Sequence, residues 1–376
     1  MSLRPTTPEE AQALVQAQPR LLPRGGGSKP ALSTPPQDVP SLELSGLSGV
    51  LEYEPDEYTF TALAGTPVAE VEKLLARHGQ YLPFDPLLAE KGATLGGTVA
   101  AGVSGPGRQR YGGVRDFLIG VRFINGAGQL VHGGGKVVKN AAGFDLPKLM
   151  VGSLGRLGVL IELTFKVFPG PAAYTTLKLT YPHLETALTD IYRLATSALE
   201  LHALDLEPAE GAGGRKQAWT LWVRLGGLAE ALPARVERMR EFLLAPKGGA
   251  TSAETFDGSA ESDLWQQVKN LTWTPADSAL VKVPLTLKRI PTLEAQLNKI
   301  ETQRRYSAAG NLVWLAWPAT GKWADKLGKL LTDLDLSGLV LLGPPGVTRL
   351  GVNPGASLAR RVKQALDPGG RFLEIG

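Results

Sequence analysis

The chain has 376 residues, 43% of them hydrophobic, which is longer than one ordinary domain and enough to bury a sizeable core, so two domains are expected. With 40 Lys plus Arg against 36 Asp plus Glu the net charge is only +4, and no basic cluster interleaves with aromatics, which sets nucleic acid aside as a partner. Cysteine is absent and only His78, His132, His183 and His202 supply imidazoles, no two of them spaced as a local metal-binding pair. Disulfides, thiolate zinc and iron–sulfur clusters on this chain are therefore excluded, and any electrons it moves need an organic cofactor.

No run approaches the roughly 20 apolar residues that span a bilayer. The opening MSLRPTTPEEAQALV carries acids and prolines where a signal peptide has an apolar core. The expectation is a cytoplasmic protein that meets a membrane only indirectly, through a partner.

In chain order, residues 67–78 place Val68, Val71, Leu74 and Leu75 on one helical face, with Gly79 as a stop signal. Residues 92–158 then hold 18 of the chain's 45 glycines, interrupted by apolar runs; 159–167 forms another such run. Such density suits a folded region where backbone approaches something closely or takes positive φ. The stretch from Val121 to Asn125-Gly126, resuming at Gln129, Leu130 and Val131, predicts a hairpin. After Pro169-Gly170-Pro171 the texture changes. Strands are expected at 175–181, 201–206, 219–225, 279–287, 311–317 and 339–342, and helices at 184–199, 233–244, 261–271, 291–303, 322–334 and 357–366. This mixture predicts an α+β second domain with helices on one face of its sheet, and exposed loops at 211–214 and 246–262.

Four glycine-rich segments are candidate sites. Arg24-Gly25-Gly26-Gly27-Ser28-Lys29 can turn successive amides toward one anion, with a hydroxyl and an ammonium added, and a diphosphate suits it; a plain flexible loop has the same composition. Residues 92–105 are small at nearly every position, so a planar group can lie on the main chain, as can a closely packed neighbouring helix. Tyr111-Gly112-Gly113-Val114-Arg115-Asp116 and Lys139-Asn140-Ala141-Ala142-Gly143-Phe144-Asp145 pair glycine with polar groups suited to a ribityl chain, ring edge or phosphate, or to solvent. No P-loop occurs, and Gly152, Gly155 and Gly158 lack dinucleotide-fingerprint spacing, which disfavours a Rossmann site.

In this order, the four segments resemble the FAD-binding domain of the vanillyl-alcohol oxidase and p-cresol methylhydroxylase flavoprotein superfamily, and within it the FAD-binding subunits of bacterial glycolate oxidases. The motifs that carry the likeness are His78-Gly79-Gln80-Tyr81-Leu82-Pro83-Phe84-Asp85-Pro86, residues 93–105, Val114-Arg115-Asp116-Phe117, residues 139–145, Met150-Val151-Gly152-Ser153-Leu154-Gly155 and Leu157-Gly158-Val159-Leu160. The resemblance is strong over residues 20–170 and weak beyond, apart from Lys363-Gln364-Ala365-Leu366-Asp367-Pro368.

The resemblance implies a two-subdomain FAD-binding domain at 1–170, an α+β cap domain with an antiparallel sheet at 171–345, and a segment at 346–376 that returns toward the first domain. It implies that Arg24, Gly25, Gly26, Gly27, Ser28 and Lys29 bind the FAD diphosphate, with Phe84, Asp85 and Pro86 beside the cofactor. Thr94, Gly96, Gly97, Ser104 and Gly105 would line the diphosphate and isoalloxazine path, with Arg115 and Asp116 near them. Asn140, Gly143 and Asp145 would add polar contacts, and Gly158 and Val159 would meet the adenine. Covalent members attach flavin through histidine, sometimes with cysteine or tyrosine; here Ser28 follows the triple glycine and cysteine is absent, so non-covalent FAD is expected. Relatives commonly close with Asn-Pro-Gly-Arg, whereas this chain has Asp367-Pro368-Gly369-Gly370-Arg371.

Oxidising a 2-hydroxy acid to a 2-oxo acid needs a cation for the carboxylate and a base or metal for the hydroxyl proton. The second domain offers only His183 and His202, both expected at exposed or capping positions, and Arg224, Arg289 and Arg349, expected as exposed charges. Trp219, Trp222, Trp314 and Trp317 are expected mainly in its core. The catalytic residues are therefore left unassigned. The favoured expectation is an electron-relaying FAD subunit between a catalytic flavoprotein subunit and an iron–sulfur subunit of a glycolate oxidase-like complex. The alternatives are a self-sufficient FAD-dependent D-2-hydroxy-acid dehydrogenase and a structural subunit without flavin.

Overall fold

A computed structural model describes residues 2–135, 144–209, 218–300 and 302–374, which form two compact units. One unit contains Met1–Gly105, Tyr111–Gly170 and Asn353–Gly376; the other contains Pro106–Arg110 and Pro171–Val352.

The first unit is built on two main sheets. Ser2–Leu3, Ser41–Glu43 and Leu22–Arg24 form a small parallel sheet with Ser41–Glu43 in the middle. Its core holds Ala11, Val15, Leu21, Leu42, Leu44 and Leu47 together with Ile124, Val159, Ile161 and Phe372. A five-stranded antiparallel sheet runs in the order Val50–Glu54, Thr59–Leu63, Val159–Lys166, Leu118–Ile124, Leu130–Gly134. The expected hairpin forms its edge, with Asn125 Oδ1 accepting from the amides of Ala127 and Gln129, the local side-chain bond that favours Asn in turns. Val159–Lys166 pairs on both edges and is buried at six of its eight positions, with Val159 and Ile161 in the core above, which accounts for its mainly apolar sequence. The helix expected at 67–78 is Val68–Ala76 and buries Val68, Val71 and Leu75.

The second unit is one nine-stranded antiparallel sheet, ordered Ser252–Asp257, Ala173–Tyr181, Trp219–Gly227, Ala203–Pro208, Gln303–Ser307, Leu312–Pro318, Ser278–Pro284, Ser337–Leu342, Arg349–Gly351. Helices cover both of its faces, a correction to the one-sided arrangement expected. Thr176 and Tyr181 lie five positions apart on one strand and so point to opposite faces. Thr176 Oγ1 meets Glu261 and Trp265 of the Gly258–Lys269 helix, and Tyr181 donates to Asp190 of the Leu184–Ala195 helix at 3.0 Å.

Other expectations are also revised. Residues 246–262 are not a loop: they contain the edge strand Ser252–Asp257 and the start of the Gly258–Lys269 helix. The helix expected to reach residue 303 ends at Leu297, and Gln303–Ser307 is an interior strand. Residues 211–214 lie outside the described residues. The four tryptophans of the strands are buried. Among the described residues, no helix is long and apolar enough to cross a membrane.

Candidate FAD site

The strand Leu22–Arg24 delivers the chain into the triple-glycine turn, which runs to Lys29 at the start of the short Pro30–Ser33 helix. One cleft in the first unit is lined by all six residues of Arg24-Gly25-Gly26-Gly27-Ser28-Lys29, by Thr94, Gly96 and Gly97, and by Gly158. The Leu95–Ala101 helix forms one wall. Its N-cap Thr94 accepts from the Gly97 amide at 3.2 Å, and Gly102 closes its far end at φ 63°, a conformation that favours glycine.

Close packing of main chain on main chain explains the glycines. A β-carbon on Gly26 would stand 1.8 Å from the Gly92 carbonyl oxygen, and one on Gly25 would stand 2.3 Å from Thr94 Oγ1. Gly25 and Gly26 are thus docked on Gly92 and Thr94 with no room for a side chain, while Gly27 takes a φ of 71° beside Arg24, and all three line the cleft. Gly96 is small for the same reason, since a β-carbon there would meet Ala64 at 2.8 Å.

Two cations stand on the cleft wall. Arg24 lies 3.7 Å from the Glu43 carboxylate. Lys29 is only 5% exposed, and its Nζ has a single long contact, 3.4 Å to Ser28 Oγ, with no carboxylate partner among the described residues. Burial lowers its pKa from the usual lysine value to about 8.

Sequence reasoning passed over Arg156, which follows the cleft residue Gly155 in the chain but does not itself line the cleft. It is 7% exposed, Nη1 is sealed from solvent without a hydrogen-bond partner, and burial lowers its pKa to about 10. A single arginine after a glycine, in a chain with many arginines, gives no signal by itself. Leu44, Ala64, Leu154 and Leu160 supply apolar wall and were likewise indistinguishable from core.

The remaining expected residues do not line this cleft. Ser104, Gly105, Phe84, Asp85, Pro86, Arg115 and Asp116 gather elsewhere in the same unit. The Gly105 amide donates to the carbonyls of Phe84 and Asp85, at 3.0 and 2.7 Å. Ser104 Oγ accepts from the Val114 amide at 2.9 Å, and Asp116 from the Gly113 amide at 2.8 Å. Phe84 is fully buried, its ring 5.8 Å from that of Phe117 and 6.1 Å from that of Phe165. Asp145 caps the Leu146–Met150 helix and pairs with Lys148, whose hydrogen bond is the main cause of its lowered pKa, with Arg115 contributing further. Val159 belongs to the core beside Gly158 rather than to the cleft wall. Asn140 and Gly143 lie outside the described residues.

In the second unit Arg224 is buried rather than exposed. Its Nε and Nη2 donate to the two Glu261 oxygens at 2.8 and 3.2 Å, and it stacks 3.8 Å from the Tyr174 ring. Arg289 donates to the Leu334 carbonyl, and Arg349 is exposed on the edge strand. His183 is the exposed N-cap of the Leu184–Ala195 helix. His202 is buried, contrary to expectation, edge-on to Tyr174; burial first, then Arg110, Arg224 and Arg235, lowers its pKa to about 3.

Residues 1–134 match the FAD binding domain family. The chain is 33% identical over 308 residues to glycolate oxidase subunit GlcE of Escherichia coli (strain K12), covering 82% of this chain and 79% of that subunit. The chain belongs to the GlcE family. It is also 27% identical over 234 residues to a D-lactate dehydrogenase of Archaeoglobus fulgidus, but this GlcE-family chain spans only 52% of that enzyme. Its fold matches alkyldihydroxyacetonephosphate synthase with a TM-score of 0.73 at 16% identity, over 100% of this chain and 76% of the other.

FAD is therefore the cofactor of this GlcE-family oxidoreductase. The residues present fit an anionic dinucleotide: a backbone cradle that β-carbons would close, a buried ammonium without a counter-ion among the described residues, and apolar walls. Among the described residues no group of His, Asp or Glu is arranged to hold a metal ion.

Proposed function

We propose that this protein is the electron-relaying FAD subunit of a multi-subunit, glycolate oxidase-like assembly that oxidises a 2-hydroxy acid. A catalytic flavoprotein subunit would lie on one side of the relay and an iron–sulfur subunit on the other. The Gly25–Lys29 turn, with Thr94, Gly96, Gly97 and Gly158, would hold the diphosphate portion of non-covalently bound FAD. The flavin supplies the redox capacity that a chain without cysteine lacks in its side chains.

The observation that carries this reading is that the three buried arginines of the second unit are each held by carboxylates. Arg224 is paired with Glu261, Arg304 with Glu294, and Arg305 with Asp205 and Glu207, so none of the three is available to clamp a substrate carboxylate. Its histidines fit proton abstraction no better. His183 caps a helix at the surface, and a buried imidazole with a pKa near 3 is far from the operating range of a general base.

The test is dye reduction by the purified, flavin-loaded chain. Glycolate and D-lactate are expected to reduce no dye with the chain alone, and to do so once partner subunits captured from native extract are present. Substrate turnover by the isolated chain, lost on changing one second-unit arginine, would establish a self-sufficient dehydrogenase instead.

A further inference from the structure

The cleft contains a charge that no carboxylate among the described residues balances. The Leu95–Ala101 and Pro30–Ser33 helices on its walls carry no titratable residue. The strand Ser41–Glu43 contributes Glu43 and Leu22–Arg24 contributes Arg24, and these two face each other at 3.7 Å. Lys29 therefore shares the cleft with apolar groups, with one hydroxyl at 3.4 Å from its ammonium, and with Arg24, which already faces Glu43.

Removing an ammonium from water without a partner opposes folding, whereas methionine of similar length would carry no such cost. We propose that Lys29 is a proton-coupled latch for the cofactor: its charge destabilises the empty protein, and the incoming diphosphate satisfies it, so that loading draws a proton from solution. This rests on the reading that FAD occupies this cleft.

The sign follows from the burial of Lys29. In the empty protein its amine is half neutral near pH 8. A diphosphate beside it favours the charged form, so at pH 8 binding takes up about half a proton, and well below pH 7 almost none. Affinity is level below pH 8 and falls about tenfold per pH unit above it, until the amine of the loaded form also titrates.

The experiment is calorimetric titration of flavin-stripped, full-length protein with FAD at pH 6.5 and pH 8, in buffers of different ionisation heat. Wild type should take up about half a proton at pH 8. Lys29→Met should bind FAD about 10 to 100 times more weakly, without proton uptake, and melt at a higher temperature than wild type when empty. Lys29→Arg, which stays charged throughout this range, should bind FAD without proton uptake. Buffer-independent binding by wild type, or unchanged affinity in Lys29→Met, overturns the latch and leaves FAD in the cleft. Failure of folded, empty wild type to bind FAD overturns both.

Discussion

Arg224 and Glu261 close a two-pronged ion pair, at 2.8 and 3.2 Å, between the middle of a strand and a helix lying across it. Thr176 Oγ1 donates to the same carboxylate at 2.8 Å, and Trp265 Nε1 donates to that hydroxyl at 2.8 Å. Glu261→Ala would leave a buried guanidinium uncompensated. It should cost about 3–5 kcal/mol in denaturant unfolding, and an apolar pair at both positions should recover most of it. A loss below about 1 kcal/mol in the single variant would mean that water reaches the site.

His202 makes stability depend on pH. Its folded pKa, about 3, lies below the value near 6.5 of an unfolded chain, so the unfolded state binds the proton first. The stabilisation is complete above pH 6.5 and declines as pH falls toward 3. Between pH 6.5 and pH 5 the loss should be about 2 kcal/mol relative to His202→Phe, which keeps a ring against Tyr174 and does not titrate. Parallel stability curves for the two proteins would contradict the burial of a neutral imidazole.

Two glycines of the cleft separate folding from binding. Gly26→Val is expected to fail through packing, because even a β-carbon meets the Gly92 carbonyl at 1.8 Å; loss of fold and flavin should go together. Gly97→Ala places its methyl 3.1 Å from Thr94 Oγ1, with no other neighbour of that kind within 4 Å, so it projects into cleft space. The Gly97→Ala protein should stay folded by circular dichroism and retain less flavin per folded molecule. Wild-type flavin content in it would argue that the ligand lies away from this wall.

The Asp367 carboxylate accepts from Lys363 Nζ at 2.6 Å and from the Arg371 and Phe372 amides at 2.9 Å, all within the first unit. Asp367→Ala should lower stability by about 3–5 kcal/mol, since it strands a buried ammonium and two amides. Flavin retention should fall with it, because the released segment pairs with Leu21, just before the cradle; protease sensitivity near residue 370 reports the release.

Elements with strong periodicity were legible: the Val68–Ala76 helix, the hairpin around Asn125-Gly126 and the apolar strands of the large sheet all form. Two strands of the large sheet that sequence reasoning missed are polar for identifiable reasons. Ser252–Asp257 is an edge strand with little to bury, and Gln303–Ser307 hides Arg304 and Arg305 in ion pairs that only the tertiary fold supplies. At the site, glycine density located the cradle but could not say what each glycine approaches. Gly26 and Gly96 approach the protein itself, and Gly105 packs on the Asp85 carbonyl away from the cleft. Lys29, buried with one long contact, could not be distinguished from a surface cation until burial was known.

The backbone bridge between Leu21 and Phe372 has a consequence for biosynthesis. The strand that leads into the cradle gains this neighbour only after about 350 further residues, including the whole second unit, have left the ribosome. The first unit thus cannot be completed in the order of its synthesis: the strand that leads into the cradle waits for this partner until the second unit has been made.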